Sequence, residues 1–193
     1  MNHHGSNQGW IEMITGSMFS GKTDELIKRV EKADLAGKSV QVYKPAVDNR
    51  YGNEVIGAHN GRSWEAKPID TDNIEQLDAG IDVVAIDEAN FFPEQLVEKC
   101  QSLADNGVRV IVSGTDQTFR GEPWTPVPEL CASAEYIDKL RAVCEGEGCG
   151  RPATRNQRMI DGEPAHEDDP TVMVGAEESY EARCRECHIV RTD

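Results

Sequence analysis

The chain has 193 residues, 38% of them hydrophobic, which is enough for one packed domain with at most a small appendage. Its 35 acidic residues against 20 Lys and Arg give a formal net charge of -15. Such a field repels phosphate backbones, so the composition excludes an extended nucleic-acid interface. The acidic balance also suggests adaptation to a high-salt cytosol, which is a hypothesis from composition alone.

Hydropathy argues against a membrane protein. No apolar run approaches the ~18 residues of a membrane span, and the N-terminal stretch MNHHGSNQGW lacks the basic and apolar regions of a signal peptide. We therefore expect no membrane partner and a cytoplasmic location.

The first predicted element is a short apolar strand over residues 10–15, which leads directly into GSMFSGKT. This stretch fits the pattern GxxxxGK[ST], in which backbone N–H groups of a Gly-rich turn point at phosphate oxygens. Apolar residues then recur at helical spacing up to Gly37, so the order is strand, loop, helix. The candidate residues for binding a nucleotide such as ATP are Gly16, Ser17, Met18, Phe19, Ser20, Gly21, Lys22 and Thr23.

A second strand is predicted over residues 39–43, and Pro45 closes it. Residues 45–64 are polar, Gly-rich and aperiodic, which predicts a surface loop able to order over a ligand. Arg50 lies in this loop, where it either reaches a phosphate, holds an acid or is simply solvated.

Residues 83–86 form a predicted buried strand that ends in Asp87 and Glu88. An apolar strand ending in Asp after a P-loop has the form of a Walker B element, whose carboxylate helps to hold Mg²⁺. Asp87 fits that role. Neighbouring side chains at a strand end point in different directions, so Glu88 is a candidate general base. The alternatives are that Glu88 caps the helix predicted from Pro93 to about residue 103, or that it positions a water.

A further apolar strand over residues 108–114 extends the alternation of strands and helices. This alternation is typical of a mostly parallel α/β sheet flanked by helices. Ligands of such sheets bind beyond the carboxyl ends of the strands, where the P-loop, Asp87 and residues 114–119 all fall.

The pattern changes after about Tyr136, where helical periodicity disappears and cysteine pairs appear. Cys144 and Cys149 are spaced as Cx4C, and Cys184 and Cys187 as Cx2C, which together supply the four thiolates that structural Zn²⁺ favours. We expect residues 143–193 to form a zinc-held module beside a nucleotide-binding domain over residues 1–142. His188 is an alternative ligand, although an exposed terminal histidine is the simpler interpretation. Cys100 and Cys131 are interpreted as packing residues.

The residues alone predict a Mg²⁺-dependent phosphotransferase. They leave open a P-loop ATPase that drives a partner, and a nucleotide sensor without catalysis. A comparison of motifs goes further, because in chain order they resemble the type II thymidine kinases, the zinc-containing cytosolic family. The motifs are GSMFSGKT, KPAVDNRY, DEANFFP, DQTFRGEPW, ATRNQR, and VMVGAEESY followed by CRECH, and they extend from about Ile11 to His188.

The resemblance implies a RecA-like P-loop fold with a C-terminal zinc-binding lasso domain. It implies transfer of the ATP γ-phosphate to the 5'-hydroxyl of thymidine, and of deoxyuridine, giving dTMP in nucleotide salvage. Glu88 and Arg50 would be the catalytic residues, Lys22 would contact phosphates, and Thr23 and Asp87 would serve Mg²⁺. A homotetramer and feedback inhibition by dTTP are also implied. The implied substrate-binding residues are Met18, Phe91, Phe119, Thr154, Val172, Met173, Val174, Gly175 and Tyr180.

Three features depart from the family pattern. The first cysteine pair is Cx4C where the family commonly has Cx2C, so we expect residues 145–148 to loop outward while tetrahedral ligation survives. Thr115 stands where an apolar residue usually precedes Asp116. The lasso interior, PAHEDDP, is unusually acidic.

Overall fold

A computed structural model describes residues 8–48, 52, 54–58, 60–77, 80–172 and 180–192. The helices are α1 (Lys22–Leu35), α2 (Gln95–Asp105) and α3 (Val127–Ser133), with 3-10 turns at Ile74–Gln76 and Ala89–Phe91. The strands in chain order are β1 (Trp10–Gly16), β2 (Val40–Pro45), β3 (Val55–Gly57), β4 (Ser63–Glu65), β5 (Lys67–Ile69), β6 (Val83–Ile86), β7 (Arg109–Gly114), β8 (Tyr136–Leu140), β9 (Ala142–Val143), β10 (Pro152–Ala153), β11 (Arg155–Ile160), β12 (Glu163–Pro164) and β13 (Tyr180–Arg183).

Six strands form one sheet in the order β5-β2-β6-β7-β1-β8. Every neighbouring pair is parallel. The P-loop strand β1 and the acidic strand β6 are separated only by β7. The mostly parallel sheet predicted from the sequence is confirmed. Because all six strands run the same way, their carboxyl ends meet at one edge of the sheet.

Helices cover both faces of this sheet, as predicted for an α/β fold. Alternate residues along β6 and β7 enter opposite hydrophobic clusters, as the two-residue period of a strand requires. Helix α1 packs on one face, where the cluster includes Ile14, Leu26, Ile27, Val30, Ala85 and Ile111. Helices α2 and α3 pack on the other face, where the cluster includes Met13, Val84, Ile86, Leu96, Leu103, Val112 and Leu130.

The structure adds elements that the sequence did not predict. The expected surface loop over residues 45–64 contains an antiparallel hairpin of β3 and β4. Strand β8 forms an edge of the sheet and leaves Tyr136 and Ile137 about half exposed. Helix α3 was also missed, and helix α2 begins at Gln95 rather than at Pro93.

The C-terminal part consists of small sheets. Strand β9 pairs with β10, and β11 lies between β12 and β13. Because β9 covers residues 142 and 143, it lies across the predicted domain boundary, which stays a prediction. Among the described residues, no helix is long and apolar enough to cross a membrane.

Candidate active site and metal centre

The phosphate loop lies between β1 and α1, at the carboxyl edge of the sheet. The ammonium group of Lys22 is buried and donates a 2.8 Å hydrogen bond to the carbonyl oxygen of Ser17. Gly16 has φ +140, and a Cβ there would collide with the carbonyl oxygen of Leu140. Helix α1 begins at Lys22, so its N-terminus lies directly after the loop, where helix N-termini favour anions.

The strand-end carboxylate meets the P-loop hydroxyl. The Oγ1 of Thr23 donates to Oδ2 of Asp87 at 3.1 Å, and the Asp87 side chain is nearly fully buried. Ser113 lies on the intervening strand β7, and its hydroxyl donates to Oδ1 of Asp87. A carboxylate and a hydroxyl side by side are oxygen ligands of the kind that Mg²⁺ takes alongside phosphates and water. Ser113 was not predicted, because it lies within an apolar strand.

Glu88 stands next to Asp87 in an unusual conformation. Its φ of 52 places the residue in the left-handed region, which is costly for a side chain with a Cβ. The residue precedes the 3-10 turn at Ala89–Phe91, and its side chain makes no capping hydrogen bond there. The helix that Glu88 was considered to cap, α2, has Glu94 at its N-cap instead. Backbone strain of this kind is concentrated at functional sites, and the base role of Glu88 stays a prediction.

Aromatic rings line the next part of the same edge. The rings of Phe91 and Trp124 meet edge to face, with centroids 5.6 Å apart. The loop after β7 is held here because the backbone N–H of Thr115 donates to Oδ1 of buried Asn90 at 2.9 Å. Trp124 was missed by sequence reasoning. The DQTFRGEPW motif contains it, but the contact with Phe91 depends on the tertiary fold.

Strand β11 brings the C-terminal module against the P-loop. Asn156 is buried; its Oδ1 accepts from the backbone N–H of Met18 at 2.8 Å, and its Nδ2 donates to the carbonyl of Gln117 at 2.8 Å. The hydroxyl of Ser17 also donates to the carbonyl of Ala153 at 3.3 Å. The backbone N–H of Thr154 donates to the carbonyl oxygen of Arg183 at 3.2 Å. The substrate-binding role of Thr154 stays a prediction. Asn156 was not identified from the sequence, and its side chain joins the phosphate loop at Met18 to the loop after β7 at Gln117.

Phe119 is buried between charged neighbours. The guanidinium carbon of Arg120 lies 4.4 Å from its ring centroid and that of Arg158 lies 5.3 Å away. Arg158 is fully buried and donates through Nη1 to the carbonyl of Pro170, while its Nε and Nη2 have no hydrogen-bond partner in the described part of the chain. Leaving buried donors unpaired is costly and calls for a functional explanation. Burial raises the pKa of the nearby Tyr180 hydroxyl, and the charge of Arg158 opposes that rise.

Some predicted residues cannot be placed. Arg50, Met173, Val174 and Gly175 lie outside the described residues. Val172 lies at the end of a described segment, and 43% of its surface is exposed.

The four predicted cysteines converge on one point. The Sγ atoms of Cys144, Cys149, Cys184 and Cys187 all lie within 4.8 Å of one another, and those of Cys149 and Cys184 are 3.8 Å apart. A tetrahedral Zn²⁺ with bonds of ~2.3 Å needs sulfurs about 3.8 Å apart, so these four ligands fit zinc. Arg151 donates to Cys149 at 3.2 Å, and this bond lowers the pKa of that thiol to about 6, which favours the thiolate that a metal requires.

His188 has neither of the roles considered from sequence. Its Nε2 shares a 2.7 Å hydrogen bond with the carbonyl oxygen of Phe119, and its ring is half-buried. Burial lowers its pKa. The interpretation as an exposed terminal histidine was therefore wrong. Instead, the hydrogen bond of His188 joins the segment after the last clustered cysteine, Cys187, to the loop that carries Phe119.

A chain built in this way is a P-loop nucleotide-binding protein with a four-cysteine metal centre. A family model described as thymidine kinase matches residues 9–188. A thymidine kinase of Halobacterium salinarum is 61% identical over 196 residues, covering 99% of this chain and 100% of that protein. A thymidine kinase of Haloquadratum walsbyi is 51% identical over 221 residues, covering 96% of this chain and 97% of that protein. The chain therefore belongs to the thymidine kinase family.

One solved structure with a related fold is more distant in sequence. The genome packaging NTPase B204 of Sulfolobus turreted icosahedral virus 2, in complex with ATP-gammaS, has a TM-score of 0.49 and 17% identity, covering 69% of this chain and 75% of that chain. A likeness at this level does not bear on function.

Proposed function

We propose that the protein transfers the γ-phosphate of ATP to the 5'-hydroxyl of thymidine. The single observation that carries this proposal is the contact of Thr23 with Asp87 at 3.1 Å, in a chain whose residues 9–188 match the thymidine kinase family. The contact joins the end of the phosphate loop to the acidic strand end. Phosphoryl transfer depends mainly on positioning and charge stabilisation, which a preformed arrangement of this kind supplies.

The donor side is assigned from these contacts. Backbone N–H groups of residues 16–23 and the ammonium of Lys22 bind the phosphates of ATP. Thr23 and Asp87 hold Mg²⁺, and Ser113 fixes the orientation of the Asp87 carboxylate. The bound Mg²⁺ supplies positive charge that neutralises the phosphate oxygens. Arg50 assists near the same phosphates.

Glu88 acts on the acceptor. It follows Asp87 directly, so it can approach the acceptor while Asp87 serves the metal. As the 5'-oxygen attacks the γ-phosphorus, Glu88 accepts the proton from the hydroxyl, and the bond between the γ-phosphorus and the β,γ-bridging oxygen breaks to release ADP. The nucleoside base lies near Met18, Phe91 and Phe119, and the sugar lies near Tyr180.

Backbone groups of residues 172–175, with Thr154 nearby, complete recognition of the base. Deoxyuridine is a second substrate in this proposal, because it has the same hydrogen-bonding edge as thymidine. We also propose that dTTP inhibits from the acceptor site and that four copies assemble. Inhibition competitive with thymidine, and a tetramer mass in solution, are the observations that check these two points.

The test of the reaction is transfer of labelled γ-phosphate from ATP with Mg²⁺ to each of the four deoxynucleosides and deoxyuridine, at low and at molar KCl. We expect label on thymidine and deoxyuridine only. ATP hydrolysis without any labelled nucleoside at either salt would overturn the acceptor assignment and favour a P-loop ATPase.

A further inference from the structure

Arg120 holds a stretch of the C-terminal module by three hydrogen bonds. Its Nε donates to the carbonyl of Glu167 at 2.6 Å, its Nη1 donates to Oγ1 of Thr171 at 2.9 Å, and its Nη2 donates to the carbonyl of Asp169. The three partners are alternate residues of one short segment. A planar guanidinium has donors in a fixed fork, so one side chain can fix the direction of the segment as well as its position.

Arg158 holds the same segment from strand β11. Its Nη1 donates to the carbonyl of Pro170, between two residues that Arg120 binds. Both guanidinium groups also lie over the ring of Phe119, at 4.4 Å for Arg120 and 5.3 Å for Arg158. Phe119 therefore packs with two cations that each bind residues 167–171. Cation and ring attract each other more strongly when they are shielded from water, as the buried Phe119 is.

Other contacts fix only the beginning of this segment. The backbone N–H of Glu167 donates to the carbonyl of Arg191 at 2.9 Å, and that of Asp169 donates to His166 at 3.1 Å. Beyond Asp169, the hydrogen bonds that hold Pro170 and Thr171 come from the two arginines within the described part of the chain. The next residues are those proposed to recognise the base.

We propose that Arg120 and Arg158 are positioning residues for thymidine binding: they hold residues 167–171 against Phe119, so that this segment and the ring are already in place when the base binds. This inference rests on the proposed function. A preformed segment binds the nucleoside without the entropy cost of ordering itself first. Neither arginine contacts the phosphate loop in the described structure, so their effect falls on the acceptor and leaves ATP binding unchanged.

Arg120 is the better residue to replace, because Arg158 is fully buried and its loss would disturb packing. In Arg120→Gln, we expect the KM for thymidine to rise about tenfold to hundredfold, since hydrogen bonds from a charged donor are lost. The KM for ATP should stay within about twofold of wild type. Arg120→Lys keeps the charge but loses the fork, so it should restore thymidine binding only in part.

Two further measurements separate positioning from general damage. Thr171→Val removes one partner, and its effect on the thymidine KM should be smaller in the Arg120→Gln background than in wild type. Hydrogen exchange of amides in residues 166–172 should be faster in Arg120→Gln without any ligand. The control variant is Lys32→Gln, which removes one charge from an exposed side chain at the last turn of α1. It should change neither the KM for thymidine nor the hydrogen exchange of residues 166–172.

The outcomes separate this inference from the proposed function. Equal rises in both KM values, or unchanged thymidine KM with unchanged exchange, would overturn the positioning role. If wild type transfers no phosphate to thymidine, the proposed function fails. The exchange measurement would still show whether Arg120 holds residues 167–171.

Discussion

The hydroxyl of Thr23 and the carboxylate of Asp87 lie 3.1 Å apart, although 64 positions separate them in the chain. Parallel pairing brings them together, because β1 and β6 each end at the same edge of the sheet with β7 between them. Every step of the proposed reaction depends on this edge. Variants of the residues at this edge, and of the residues that hold them in place, therefore test the reaction.

Replacing Asp87 with Asn should abolish metal-assisted transfer while the fold survives. The amide keeps the size of the side chain and one acceptor oxygen for Thr23 or Ser113, but its NH2 group cannot accept from the other hydroxyl, and it loses the charge that holds Mg²⁺. We expect kcat to fall by at least about a hundredfold, as for loss of a major electrostatic contribution. Steady-state kinetics over a range of Mg²⁺ concentrations measures the loss. Ser113→Ala, the matched control, should lose only about tenfold, because it removes one orienting hydrogen bond.

Replacing Glu88 with Gln should remove the proton acceptor without removing the ATP site. General-base catalysis contributes about a hundredfold to ten-thousandfold, so we expect a loss of that size in kcat. ATP affinity, measured by calorimetry, should stay within about twofold. Normal kcat for transfer to thymidine in the Glu88→Gln variant would overturn the base role of Glu88.

Removing the metal from the cysteine cluster should unfold the C-terminal module. A structural zinc site supplies folding energy directly, and this small module has a modest core of its own. We expect one zinc per chain by elemental analysis, and a lower Tm after treatment with a chelator or in Cys184→Ser. Cys131→Ser is the matched control, since Cys131 lies on helix α3 away from the cluster. Unchanged stability of metal-free protein would contradict a structural zinc.

Raising KCl should stabilise the protein. With a net charge of -15, self-repulsion opposes the compact state, and salt screens it. The Tm should therefore rise between about 0.1 and 2 M KCl, and activity should rise with it. Activity and Tm that both peak at low salt would contradict adaptation to a salty cytosol.

Glu12 should contribute a pH-dependent part of stability. Burial raises its pKa, but hydrogen bonds from Arg109 and Trp10, together with the charges of Arg109 and Arg29, outweigh burial and lower the pKa below 4.5. Because the pKa of Glu12 is lowered in the folded state, the stabilisation that ionised Glu12 contributes is fully present above pH 4.5. It is lost as the pH falls through the pKa that Glu12 has in the folded protein.

The free energy of unfolding should therefore be higher for wild type than for Glu12→Gln near pH 7, and the gap should close in acid. Denaturant unfolding at several pH values measures the gap. A gap that stays constant down to about pH 3, below the unfolded-state pKa, would contradict the ionised network.

Local signals predicted four of the six strands of the main sheet, β1, β2, β6 and β7, and missed β5 and β8. The P-loop strand, helix α1, and strands β6 and β7 were found because each is a buried apolar run or an amphipathic period bounded by glycine or acidic residues. Strand β8 was missed because its sequence, YIDKL, mixes polar and apolar residues. It forms the exposed edge of the sheet, and pairing with β1 makes it a strand.

By itself, the sequence determined the phosphate loop, the acidic strand end and the two cysteine pairs, because each depends on residue types at short spacings. Only the tertiary structure decided that Ser113 orients Asp87, that Asn156 bridges Met18 and Gln117, and that His188 binds Phe119. These contacts join segments far apart in the chain. A buried polar side chain carries no periodic signal of its own, and its partner is chosen by packing.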